Sequence, residues 1–192
     1  MDGAFFLDPQ EWTVLRQALA GPLALDRGPM RALCVGCGLG QEAYSLAILL
    51  GELAPGRPMT VVATDKDPRR LARAAAGGPY TASDVRALTP EQRRRYLRHL
   101  TPQRYSVAPG LSDRIVFEPS DITNGPPPGP FHAVLFRNVQ PHLQEGAVAP
   151  VFAKLRRSLI RGGALFLGAR ERMPPDLAVG LEQRSRYVYV SR

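Results

Sequence analysis

Glycines at alternate positions, Gly36, Gly38 and Gly40, and acids at Glu42 and Asp65 have the types and spacing to hold a polar, nucleotide-like ligand. An apolar run, Leu33 to Val35, leads into the glycines, and apolar residues at helical spacing (Ala43, Leu46, Ala47, Leu50) follow at once. The pattern predicts a strand, a tight turn and a helix. Glycine suits such a turn because the backbone bends sharply, takes positive φ and admits a ligand with no Cβ in the way. The ligand is then delivered to the free N–H groups of a helix N-terminus. Glycines also occupy such turns for packing alone, and the next segment separates the two readings. After the break Pro55-Gly56-Arg57-Pro58, the β-rich run Thr60 to Thr64 stops at Asp65. An acid at the tip of the second strand of a nucleotide-binding βαβ unit is placed to accept from ribose hydroxyls. The alternative for Asp65 is a turn cap, with Asp67, directly before Pro68, capping the following helix; Asp67 is assigned as that cap and Asp65 as the ligand.

The spelling of these segments resembles a known family. GCGLGQEAYSLA, then ATDKD, GPY at Gly78 to Tyr80, FRNV at Phe136 to Val139 and GGALFLGARE at Gly162 to Glu171 stand in the order seen in the CheR chemotaxis receptor methyltransferases. FFLDP at Phe5 to Pro9 is similar to that family's FFRDP signature. The resemblance covers nearly the whole chain. It implies a class I methyltransferase domain that uses S-adenosyl-L-methionine, in a family that methylates glutamate side chains on receptors. By the same resemblance Gly36, Gly38, Gly40, Glu42, Asp65, Asn138 and Val139 line the cofactor pocket, and Asp121, with the backbone of Ile122 alongside, accepts from the adenine amino group. The alternative for Asp121 is a loop acid ahead of the proline-rich stretch.

The chain also departs from the family. Leu7 stands where the family arginine reaches the reaction region, Gly3 where a threonine is usual, and Gln41 replaces one acid of an acidic pair, leaving Glu42 as the surviving carboxylate. His142 takes the place of a tyrosine near the transferred methyl and is the candidate catalytic side chain, either as a general base or as a filler of the tyrosine's space. Methyl transfer from a sulfonium is an in-line displacement governed by positioning and desolvation. A glutamate acceptor arrives ionised at neutral pH and needs no base, whereas an alcohol or amine needs a proton removed. Three function classes follow: a methyltransferase for a carboxylate, on a protein or a small molecule; one for another acceptor, including RNA; and a cofactor-binding module without transfer.

Composition bounds these classes. The 192 residues, 44% of them hydrophobic, suit one domain with a sizeable core. That domain is expected over residues 1–192, with a small inserted segment at about 79–118 that docks a receptor tail as an added strand in some family members. The family's N-terminal helical domain is expected to be absent, because the sequence starts almost at FFLDP. No apolar run approaches the roughly 20 residues of a membrane span and no signal peptide is evident, so a cytoplasmic protein without membrane insertion is expected. The lone pair Cys34 and Cys37 lacks further ligands nearby, so no metal is expected and both read as structural. The net charge of +8 is dispersed, which argues against nucleic acid as the main partner. Its one concentration, Arg93-Arg94-Arg95 with Arg98 and Arg104, is either a solvated face or a surface for an acidic protein segment.

The elements that must position these residues follow from periodicity and punctuation. Helices are predicted from Pro9 to Ala20, ended by Gly21-Pro22; after the glycine turn; over Pro68 to Ala76; from Pro90 to near Leu100; and from Glu145 to Ile160, closed by Arg161-Gly162-Gly163. Strands are predicted at Tyr105 to Val107 and Arg114 to Phe117 around a Pro109-Gly110 turn, and at His132 to Phe136, Ala164 to Gly168 and Arg184 to Val190. Gly125 to Pro130 reads as a rigid surface connector. The order gives an α/β fold, a Rossmann-like class I methyltransferase with a mainly parallel sheet, helices on both faces and an antiparallel edge.

Overall fold

A computed structural model describes residues 3–125 and 129–192; Pro126 to Pro128 of the proline-rich connector lie outside the described residues. In chain order the elements are α1 (Pro9–Leu25), β1 (Met30–Val35), α2 (Gln41–Leu53), β2 (Met59–Asp65), α3 (Pro68–Ala75), β3 (Tyr80–Thr81), α4 (Pro90–Tyr96), β4 (Leu97–Thr101), β5 (Arg104–Val107), α5 (Pro109–Ser112), β6 (Ile115–Pro119), β7 (Phe131–Phe136), α6 (Glu145–Arg157), β8 (Leu159–Leu167), β9 (Leu181–Gln183) and β10 (Val188–Ser191). The main sheet has the order β6-β2-β1-β7-β8-β10-β9. Its first five strands are parallel, and β10 runs antiparallel between β8 and β9. β7 reads as a near-continuous apolar run because helices cover both of its faces, and every residue from Phe131 to Arg137 is buried. The order reverses between β1 and β7, and this switch point opens at the carboxyl ends of the strands, directly after the glycine turn.

α2 buries more than the one face its spacing predicts. Ala43 through Gly51 are all buried, because the sheet lies on one side and α1, the Phe5-Phe6 segment and the inserted segment cover the others. Phe5 meets Tyr80 edge-to-face at 5.1 Å, which ties the N-terminal segment to the insert. The insert itself is a second sheet of three strands, β3-β5-β4.

Several predicted boundaries are corrected. α1 runs on through Gly21-Pro22 to Leu25. Proline there forfeits one helical hydrogen bond, while the continued turn buries Leu23 and lets Asp26 N–H reach the Pro22 carbonyl. α4 stops at Tyr96, and Leu97 to Leu100 belong to a strand, not a helix. Leu97 faces Val107 and the His99 ring packs at a tilt against Tyr105, 4.7 Å between centroids, a period-two pattern that the intervening arginine and exposed Leu100 obscure. The arginine cluster is thereby divided, and Arg93 is engaged, donating to the Leu88 and Arg86 carbonyls. The strands before and after Pro109-Gly110 are no hairpin, since β5 lies in the small sheet and β6 at the edge of the main one. α6 ends at Arg157, capped by Ser158, and β8 begins at Leu159. Gly162-Gly163 lies inside β8 where its register with β7 shifts; a Cβ on Gly163 would sit 2.9 Å from both the Ile160 and Phe131 carbonyl oxygens. The last predicted strand is confined to Val188–Ser191, with β9 before it.

Candidate active site

The glycine turn takes the conformation its residues allow, with φ of 66° at Gly36, 57° at Gly38 and 92° at Gly40. Asp65 fastens this turn. Its Oδ2 accepts from Gly38 N–H at 2.9 Å and its Oδ1 from Asp67 N–H at 2.9 Å. Asp67 caps α3 by accepting from Arg69 N–H, as its position before Pro68 predicts. Asp65 therefore fastens turns, the structural alternative to a ligand role, while also lining the cleft at the switch point.

That cleft encloses about 420 Å³. Seven of the ten sequence-selected residues line it: Gly36, Asp65, Asp121, Ile122, Asn138, Val139 and His142. Asp121 accepts from the N–H and hydroxyl of Thr123, and these bonds hold its carboxyl below the usual range. Val139 packs so closely on the turn that a Cβ on Gly36 would lie 2.7 Å from its Cγ2. Asn138 holds a φ of 58° between buried Arg137 and Val139. His142 is exposed on a single helical turn whose N–H reaches the Val139 carbonyl.

Gly38, Gly40 and Glu42 do not line the cleft. Gly40 is a packing position, since a Cβ there would meet Tyr44 and Ala74 at 3.0 and 3.1 Å. Glu42 points instead toward Arg137, with Oε1 2.9 Å from Nη1. Burial raises the Glu42 carboxyl above its ordinary range, and Arg137 offsets only part of that effect. Gln41 is buried and donates to the Gly3 carbonyl, and Tyr44 donates to the Ala74 carbonyl, so both are structural here. Cys34 and Cys37 are free, buried thiols in the core, and burial pushes Cys37 up to about 12.

A buried polar cluster behind the turn escapes prediction. Arg137 has a side chain only 2% exposed; it donates to Asp8 Oδ2 at 2.6 Å and to the Leu7 carbonyl at 3.1 Å, and lies over the Phe166 ring at 4.6 Å. Glu171, itself 2% exposed, accepts from the N–H groups of Val139 and Gln140. Arg137 Nε and Glu171 Oε2 are buried with no hydrogen-bond partner, and Glu42 Oε1 meets Arg137 Nη1 as a close ion pair without hydrogen-bond geometry. The sequence offers one signal for this cluster: an arginine ending an all-apolar strand has to find acceptors at that strand's carboxyl end.

A parallel sheet with one antiparallel strand inserted next to its end, a glycine turn after β1, an acid at the tip of β2 and a cleft at the switch point define a class I methyltransferase fold. Residues 2–187 match the family described as "CheR methyltransferase, SAM binding domain". The chain belongs to this family and is an S-adenosylmethionine-dependent methyltransferase. It is 30% identical over 188 residues to a chemotaxis protein methyltransferase of Listeria innocua, spanning 97% of this chain and 71% of that protein. It is 31% identical over 178 residues to chemotaxis protein methyltransferase 1 of Pseudomonas aeruginosa, spanning 87% of this chain and 64% of that one. Among solved structures, an S-adenosylmethionine-dependent methyltransferase of Mesorhizobium loti is 20% identical with a TM-score of 0.45, covering 82% of this chain and 52% of that one. No helix of the described residues is long and apolar enough to cross a membrane.

Proposed function

We propose that this chain methylates carboxylate side chains on an acidic protein segment, the glutamates of chemotaxis-type receptors being the acceptors that the family resemblance implies and relatives named chemotaxis protein methyltransferase support. The observation that carries this reading is the character of the cleft lining. Its two carboxyls, Asp65 and Asp121, already accept backbone N–H groups, while Lys66, Arg70 and His142 supply its basic side chains. Such a rim attracts an acidic segment. A carboxylate acceptor is ionised at neutral pH and attacks without a general base, so positioning alone suffices.

The residues present fit the cofactor. Asp65 takes the ribose hydroxyls, Asp121 and the backbone of Ile122 take the adenine edge, and Gly36 with Val139 and Asn138 form the wall between them. Glu42, a mostly buried carboxyl directly after the glycine turn, accepts from the amino group of the methionine portion. When bound, S-adenosylmethionine supplies a sulfonium methyl for in-line displacement. The chain's own part is to hold the acceptor carboxylate in line and exclude water.

The first test is calorimetric titration of S-adenosylmethionine and S-adenosylhomocysteine into the wild type and Asp65→Ala. Micromolar binding that is lost in the variant is the expected result; equal binding by both removes Asp65 from the site. The acceptor is tested with labelled methyl groups and acidic receptor segments. Label released by mild alkali identifies a carboxyl ester, and alkali-stable label refutes the carboxylate assignment.

A second reading rests on the exposure of His142 at the cleft wall, where it is available as a base for an alcohol or amine acceptor. Under the carboxylate assignment His142→Phe retains turnover across neutral pH. Loss of about 100-fold or more, within the range of a general base, would favour this second acceptor class.

A further inference from the structure

We infer that Glu171 is a positioning residue for the cofactor pocket: it is the strut that holds the wall formed by Asn138 to His142 against the glycine turn. The inference deepens the cofactor assignment above and rests on it.

The wall segment follows β7 with only the single helical turn Gln140–His142 as regular structure. Asn138 occupies the left-handed region at φ 58°, a conformation a non-glycine residue keeps only when its surroundings enforce it. On one side of it Arg137 is buried and held by Asp8, Leu7 and Glu42. On the other, the N–H groups of Val139 and Gln140 have no partner within their own turn, and both converge on Glu171 Oε1, at 3.0 and 3.3 Å. The next residue adds a second tie, with Arg172 N–H donating to the Gln140 side chain at 2.6 Å. The backbone leaves room for this arrangement at Gly168, where a Cβ would lie 2.5 Å from Glu171 Oε2 and 3.2 Å from Arg137 Cα.

The geometry carries through to the site. Val139, whose N–H Glu171 holds, is the residue packed against Gly36. The one-turn helix that presents His142 hangs from the Val139 carbonyl. Releasing Glu171 leaves two half-buried N–H groups without their acceptor, and the segment shifts toward solvent to satisfy them. The wall then loses its register on the turn, although Glu171 itself is not among the residues lining the cleft.

The test is hydrogen exchange on the free protein, with calorimetry of S-adenosylhomocysteine alongside. In Glu171→Ala, protection at Val139 and Gln140 is expected to be lost while β7 and β8 stay protected, with about tenfold weaker binding, the scale of one or two lost hydrogen bonds. Glu171→Gln keeps an acceptor oxygen and is expected to restore both protection and affinity. Retained protection in Glu171→Ala, or wild-type affinity despite its loss, overturns the inference; so does a Glu171→Gln variant as impaired as Glu171→Ala. Should Glu171→Ala not fold, Glu171→Asp, shorter by one methylene, is expected to lose the same two protections, and unchanged exchange there is equally fatal. Failure of the wild type to bind S-adenosylhomocysteine counts against the cofactor assignment, and the exchange data still decide whether the strut exists.

Discussion

The two ends of the main sheet each carry an arginine packed into the fold, half-buried at Arg57 and fully buried at Arg137, and the company each keeps is different. At the amino end, Arg57 donates to the Gly28 and Leu23 carbonyls and pairs with Asp26 at 2.8 Å. Asp26 also accepts from Gly28 N–H and meets His132 Nε2 at 2.5 Å, while His132 Nδ1 accepts from Arg31 N–H. Assigning the proton to Nε2 closes this circuit, since every carboxyl oxygen then has a donor. At the carboxyl end, one guanidinium pairs with two carboxyls, Asp8 and Glu42, while Glu171 Oε2 and Arg137 Nε lie buried without a hydrogen-bond partner. The first cluster serves folding and is finished when the chain folds. The second keeps a buried acceptor, Glu171 Oε2, and a buried donor, Arg137 Nε, unpaired behind the glycine turn, whereas both oxygens of the Asp26 carboxyl have donors.

The comparison can be broken most severely at Arg137. Arg137→Ala strands the Glu42 carboxyl, and urea unfolding is expected to show a loss of about 3–5 kcal/mol, the cost of breaking a buried pair from one side. If stability is unchanged, the carboxyl-end cluster is solvated and the contrast fails. At the amino end, His132→Ala removes the donor to Asp26 and the acceptor for Arg31, for a loss of about 2 kcal/mol in the same measurement. Its affinity for S-adenosylhomocysteine is expected to stay that of the wild type; weakened binding would mean that the two ends are coupled through β1 and β7. Glu42→Gln is the converse, with stability at neutral pH held or increased and cofactor binding weakened about tenfold.

What the sequence made legible follows the range over which each feature is specified. The glycine turn, Asp65, the cap at Asp67 and the apolar strand ending at Phe136 are written in neighbouring residues, and the structure has them all. The end of α1, the bulge at Gly162-Gly163 and the strand Leu97–Thr101 were misread because a local stop signal or an arginine-rich run was overruled by burial of Leu23, by pairing with β7 and by packing on Tyr105. The carboxyl-end cluster was least legible, since Arg137 and Asp8 are 129 positions apart and Glu171 reaches back 32 to Val139. Neither arginine nor glutamate signals burial by type.

The smallest effect is also the one that separates the two ends by sign. Hydrogen bonds from His132, Gly28 and Arg57 hold Asp26 well below its ordinary value of 3.8 in the folded protein. Folding therefore releases its proton, and the stability it contributes is present above pH 3.8 and lost as pH falls. Glu42 is displaced the other way, raised by burial above its ordinary 4.5. Folding there favours the protonated form, so its contribution weakens as pH rises from 4.5 through the raised value. The windows do not overlap, so difference curves resolve them: stability of the wild type minus Asp26→Asn, and minus Glu42→Gln, measured by denaturant unfolding from pH 3 to 7. The first difference is expected to grow with pH in the acid range and then level, while the second declines above 4.5. Bound S-adenosylmethionine is expected to flatten only the second, because an ammonium at Glu42 favours the carboxylate that burial disfavours. Two curves of the same sign would show that both clusters are structural, and the cofactor's amino group would then have to be sought away from Glu42.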